Sequence, residues 1–156
     1  MTGGALIVPA GLLASSRGAA AEDIAERARE HSFAERVAVN AVMTAERTLG
    51  RDPLQPPPGH AGYDIESRTA AGSLLFIQVK ARARGTQTFT LTRTEIGIGR
   101  NQADRHILAL AEVPAAGLPD VRYLRGAFSD IGDLPFDAAC VSLPWASWFG
   151  RGERPA

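Results

Sequence analysis

Asp64 in GYDIESR, with Gln78 and Lys80 in LLFIQVKARARG, have the residue types and spacing that chemistry would use. Among 17 basic residues Lys80 is the only lysine. A lysine is a compact point charge on a flexible stem and an arginine is an always-charged planar fork, so the two do not interchange where a cation works at close quarters. In a strand, Phe76, Gln78 and Lys80 share one face and Leu75, Ile77 and Val79 the other. Same-face neighbours stand roughly 7 Å apart, which sets the Gln78 amide oxygen and the Lys80 amine on either side of one small site. Asp64 and Glu66 share a face of the preceding strand, and in a hairpin one of them lies near Gln78. Asp64 directly follows Gly62-Tyr63, where the turn leaves room for a ligand.

A carboxylate, an amide oxygen and an amine at the centre of a small sheet suit a hard divalent cation, Mg²⁺ or Mn²⁺, which takes oxygen ligands and keeps several waters. Such an ion polarises a phosphodiester and activates a water, while the lysine orients that water or stabilises charge developing at phosphorus. A helix carboxylate would complete the set, and Glu46, in the last turn before Gly50, is the expected one. Glu35 precedes it on nearly the same stripe but about 16 Å away along the axis, so both cannot serve one ion. Arg82, Arg84 and Arg93 project from the same end of the site. They either track a phosphate backbone with salt-sensitive binding or pair with helix glutamates. Each of these residues also has a plain structural role open to it. Asp64 can bond backbone amides as turn aspartates do, Glu46 can be a solvated helix end, and Lys80, Arg82 and Arg84 can guard an edge strand.

The elements that must hold these residues follow from periodicity. Residues 19–49 have apolar positions at spacings near three and four, which predicts one amphipathic helix or two, with a capping-box spacing at Ser32 and Glu35 permitting a break near His31. A proline-rich connector, RDPLQPPPGHAG, excludes helix and central strand. Runs at 63–68, 74–81 and 88–92, separated by glycine turns, read as an antiparallel meander. Thr92 and Glu95 have capping-box spacing and open a second helix toward Asn101, weakened by Gly97 and Gly99. HILALAEV is a buried strand with VRYLRG beside it, and AACVSLPWASWF reads as a strand and short helix. The order predicts an α/β fold, a mixed sheet flanked by helices. Residues 1–18 form a strand and linker, 19–150 the domain and 151–156 a tail.

Composition narrows the classes. With 156 residues, 45% hydrophobic and 22% charged, the chain is the size of one globular domain. A formal net charge of zero excludes a generally nucleic-acid-coating protein, so any such contact is a local footprint. One cysteine excludes an internal disulfide and suits a cytoplasmic setting; Cys140 reads as a small buried hydrophobe. No run approaches the roughly 20 apolar residues of a membrane span. There is no P-loop, and Gly97-Ile98-Gly99 is too little for a nucleotide fingerprint. His31, His60 and His106 show no ligand spacing, and His106 at the head of a strand reads as structural. Trp145 and Trp148 either pack inward or close an interface, so a homodimer through 145–149 is compatible with the pattern.

Glu46, Asp64 and Gln78-Val79-Lys80, in helix, three-strand, helix, strand order, resemble the PD-(D/E)XK nuclease superfamily. The run AVMTAERTLG, GYDIESR, LLFIQVKARARG, FTLTRTEI and HILALAEV, over roughly residues 33 to 126, is similar to the NO VEIN C-terminal-like domain, often found at the C-terminal end of bacterial helicase-like proteins. The resemblance implies a nuclease-like fold acting on DNA, with RNA open as a substrate. It further implies Asp64, Gln78 and the Val79 carbonyl as metal ligands, Lys80 and Glu46 as working groups, and a helicase-like partner. Gln78 stands where the family usually shows Glu, so the ligand coordinates without neutralising charge. Two functions are therefore expected: metal-dependent cleavage, or a non-catalytic nucleic-acid or docking module with the same fold.

Overall fold

The computed structural model describes residues 10–82 and 86–156, with side chains from residue 20 onward. Helix α1 (Ala10–Thr48) is continuous. The Ser32 capping spacing does not break it, since a serine inside a long Ala-rich helix costs only tenths of a kcal/mol. Residues 10–18, expected as strand and turn, are its first turns, and residues 1–9 lie outside the described residues. Residues 20–33 are exposed throughout; burial begins with Ala34, Ala38 and Val42, an i, i+4 stripe laid on the sheet.

The main sheet runs β1 (Asp52–Leu54), β2 (Ile65–Arg68), β3 (Leu74–Arg82), β5 (His106–Glu112), β6 (Asp120–Arg125). β3 and β5 are parallel and the other neighbours antiparallel. A parallel pair needs a crossover, and here it is made by β4 (Thr88–Thr92) and α2 (Arg93–Asn101). The meander expectation therefore fails at its third strand. β5 takes the edge of β3, and β4 pairs instead with β7 (Cys140–Pro144) in a separate two-stranded sheet. Pro53 sits in edge strand β1, where a missing N–H costs no ladder bond.

Two cores result. α1 packs on Ile65, Ile77, Val79, Ile107 and Ala109; Leu108 and Leu110 on the opposite face of β5 pack with Leu91, Phe128 and α3 (Trp145–Arg151). The capping box expected at Thr92 and Glu95 is complete. Gly99, which intrinsic propensity counts against α2, lets that helix approach Phe128 so closely that a Cβ would stand 2.4 Å from the ring. Trp145 and Trp148 are buried, edge-on to Phe89, which takes both rings out of the homodimer surface expected over 145–149. Cys140 is exposed, contrary to expectation, because β7 belongs to the peripheral sheet, where Cys140, Ser142 and Pro144 face outward and Val141 and Leu143 face the core. The expected tail is docked: Glu153 and Tyr123 exchange both backbone bonds at the outer edge of β6, at 2.7 and 3.0 Å.

Candidate functional site

Where β2 stops, β3 continues. Asp64 N–H donates to the Ile77 carbonyl at 2.9 Å, and the chain then departs through Gly62, held at φ +101 with Ile98 so close that a Cβ would lie 2.1 Å from its Cδ1. The Val79 N–H is left facing the end of β2. Asp64 Oδ2 takes it at 2.7 Å and takes the Gln78 Nε2–H at 2.6 Å. No hydrogen bond engages Asp64 Oδ1 or Gln78 Oε1 among the described residues. Lys80, two residues on, donates to Glu95 Oε1 at 2.8 Å across from the first turn of α2.

Asp64, Gln78, Val79 and Lys80 line one cleft of about 400 Å³, whose other wall is α1 with Glu35 and Arg36. Burial holds the Asp64 carboxyl above its usual range; the Val79 N–H and the Lys80 charge oppose this, and Glu95 and Glu35 add to it. The donor set is oxygen-rich but sparse, and among the described residues no three His, Cys, Asp or Glu side chains converge as a ready cage. One carboxylate, one amide oxygen and flanking acids fit a cation that keeps most of its waters, as Mg²⁺ does.

Glu46, expected as the helix carboxylate, is elsewhere. Counting i, i+4 from Ala34 through Ala38 and Val42 lands on Glu46, so it lies on the stripe facing the sheet and is 0% exposed. Tyr123 Oη donates to it at 2.8 Å and Arg51 Nη1 at 3.0 Å. Burial, followed by the Glu46 charge, pushes the Tyr123 hydroxyl well above its usual range. Glu35, which sequence spacing set aside in favour of Glu46, is the α1 carboxylate at the cleft; it pairs with His31 at 3.2 Å.

Arg82 and Arg93, two of the three expected arginines, are engaged. Arg82 bonds Glu112 at 2.6 Å and the Thr86 carbonyl at 3.1 Å. Arg93 gathers the carbonyls of Pro135 and Ala138 and so fastens the 135–138 loop. Arg84 lies outside the described residues. Arg36 is the arginine lining the cleft, and nothing in its spacing singled it out. Glu95 was visible only as a helix cap. His106 is structural, as expected: Nε2 meets the Gly62 carbonyl at 3.1 Å, the ring is buried, and that burial lowers its pKa. The His60 ring packs at a tilt against Tyr63, and Tyr63 likewise against Phe76.

A mixed sheet with α1 on one face, and an Asp, Gln, Lys cleft where β2 ends beside β3, defines the PD-(D/E)XK nuclease-like α/β fold. The chain belongs to the family described as Protein NO VEIN, C-terminal, whose model matches residues 34–124. Among solved structures it is similar to Hjc, a Holliday junction resolvase from the hyperthermophile Archaeoglobus fulgidus. Identity there is 16%, coverage 75% of this chain and 96% of that one, and the TM-score 0.52. A bacterial homing endonuclease, I-Ssp6803I, matches at 15% identity over 72% of this chain and 74% of that one, with a TM-score of 0.42. No curated protein matches. At these identities the structural likeness concerns fold, and no described helix is long and apolar enough to cross a membrane.

Proposed function

We propose that the domain is a metal-dependent nuclease acting on DNA, in helicase-type DNA processing or defence. The observation that supports this most is the single cleft shared by Asp64, Gln78 and Lys80. Asp64, Gln78 and the Val79 carbonyl would hold Mg²⁺ or Mn²⁺, with Glu35 replacing Glu46 as the acid supplied by α1. The ion, when bound, would supply Lewis acidity toward a phosphodiester and a more acidic water. The chain's own groups do the rest. Asp64 is kept aimed by two donors on one oxygen, leaving the other oxygen for the cleft. Lys80 presents a fixed positive charge beside it, suited to the charge that builds on phosphorus. Arg36 is the natural anchor for an adjacent phosphate, a small footprint in keeping with zero net charge.

Gln78 favours a second reading, a nucleic-acid-binding or docking module without turnover, since its amide brings no charge to the ion. Titrating Mn²⁺ into wild type, Asp64→Asn and Gln78→Glu separates the two. A saturable site lost in Asp64→Asn and about tenfold or more tighter in Gln78→Glu supports the first reading. No saturable site in any of the three leaves the second.

A further inference from the structure

Glu95 belongs to two arrangements at once. Oε2 accepts the Thr92 N–H at 2.7 Å and the Glu95 N–H returns to Thr92 Oγ1 at 3.2 Å, closing the capping box of α2. Oε1 accepts from the Lys80 amine at 2.8 Å. A capping box needs only a side-chain oxygen at this position, and glutamine supplies one as well as glutamate. The cap therefore leaves the negative charge unexplained; Lys80 is the group that uses it. The two side chains are only 20% and 15% exposed, so salt screens the pair little and the bond is of the charge-assisted kind.

We infer that Glu95 is the positioning residue for Lys80: the start of α2 fixes where the amine stands in the cleft. This rests on Lys80 being the working amine proposed above. An ammonium has three donors. Glu95 occupies one, and two remain for a phosphate oxygen or a water. Because Oε2 is tied to the α2 backbone, Oε1 cannot swing with the lysine, and the long Lys80 stem is held at its tip as well as at its root.

Lys80 is the only lysine, so protein grown on ¹³C-lysine gives a single Cε signal that is read without reference to activity. Thr92→Ala removes one cap bond but leaves the Thr92 N–H on Glu95. It should lower the melting temperature and leave the Lys80 signal in place. Glu95→Gln retains both cap bonds and removes the charge. Its melting temperature should stay near wild type while the Lys80 signal moves and sharpens toward that of a free lysine side chain. Cleavage, where measured, should fall about 10- to 100-fold in kcat with KM little changed. Should Glu95→Gln fail to fold, Glu95→Asp, one methylene short of Lys80, carries the same test. A Lys80 signal superimposable on wild type in the folded variant would overturn the inference. A moved signal with no cleavage by any protein would uphold Glu95 as the holder of Lys80 and remove the nuclease reading instead.

Discussion

Asp64 Oδ2 accepts the Val79 N–H at 2.7 Å, standing in for the backbone carbonyl that β2 would have offered had it run one residue pair further. A side chain thus finishes the ladder, and its second oxygen is carried into the cleft. Asparagine can keep both bonds through its own carbonyl oxygen. Because burial raises the Asp64 pKa, the ionised form costs folding stability at every pH above the ordinary value of 3.8, increasingly as pH rises through the folded value. Asp64→Asn is therefore expected to melt higher than wild type at pH 7, with the gap closing as pH falls toward 3.8. A variant that melts lower at pH 7, with the deficit shrinking as the wild-type carboxyl is protonated at lower pH, would show that the carboxylate is a net stabiliser.

Glu46 and Glu35 should exchange the roles their sequence spacing suggested. Tyr123→Phe takes the hydroxyl from a buried carboxylate and should cost about 1–3 kcal/mol in denaturant unfolding, with cation binding unchanged. Glu35→Gln alters only an exposed contact with His31, so stability should stay within about 0.5 kcal/mol of wild type, while Mn²⁺ binding should weaken severalfold. Equal Mn²⁺ affinity in Glu35→Gln and wild type would take α1 out of the site.

His106 gives a pH dependence of known sign. Burial lowers its folded pKa below the ordinary 6.5, so the unfolded chain takes up a proton that the folded one refuses. Stability should be full above about pH 6.5 and decline below it until the folded value is reached. His106→Gln, which can still donate to the Gly62 carbonyl, should flatten that part of the wild-type profile. Parallel profiles from pH 7.5 to 5 would assign the decline to other groups.

Gly62 is required twice, by its φ of +101 and by the Ile98 side chain. Gly62→Ala should cost about 1–3 kcal/mol and, because Asp64 is two residues on, should weaken cation binding as well. Adding Ile98→Ala should return part of the stability. No gain from the second change would place the whole cost in the backbone.

Much of the architecture was legible because it rests on local patterns. The continuous apolar run of β5, the alternation of β3 and the Thr92–Glu95 box are each set within a few residues. What escaped depends on partners far along the chain. β4 reads as the third strand of a meander until β5 claims the free edge of β3, and its real partner, β7, lies about fifty residues downstream. Glu46 could have been moved off the site by counting i, i+4 from Ala38 and Val42, but a buried glutamate is credible only once Tyr123 and Arg51 are seen beside it. Arg93 looked like a phosphate contact for want of the loop carbonyls that absorb it. Glu95 announced its cap in sequence and its lysine only in three dimensions.

The most direct measurement is incubation of single- and double-stranded DNA with purified protein in Mg²⁺ and in Mn²⁺, beside folded Lys80→Ala and Asp64→Asn. Metal-dependent cleavage by wild type, with both variants down about 10²-fold or more, is the expected result. Cleavage that persists in both variants, or DNA binding by all three proteins with no cleavage by any, would contradict the assignment of this cleft as a nuclease centre.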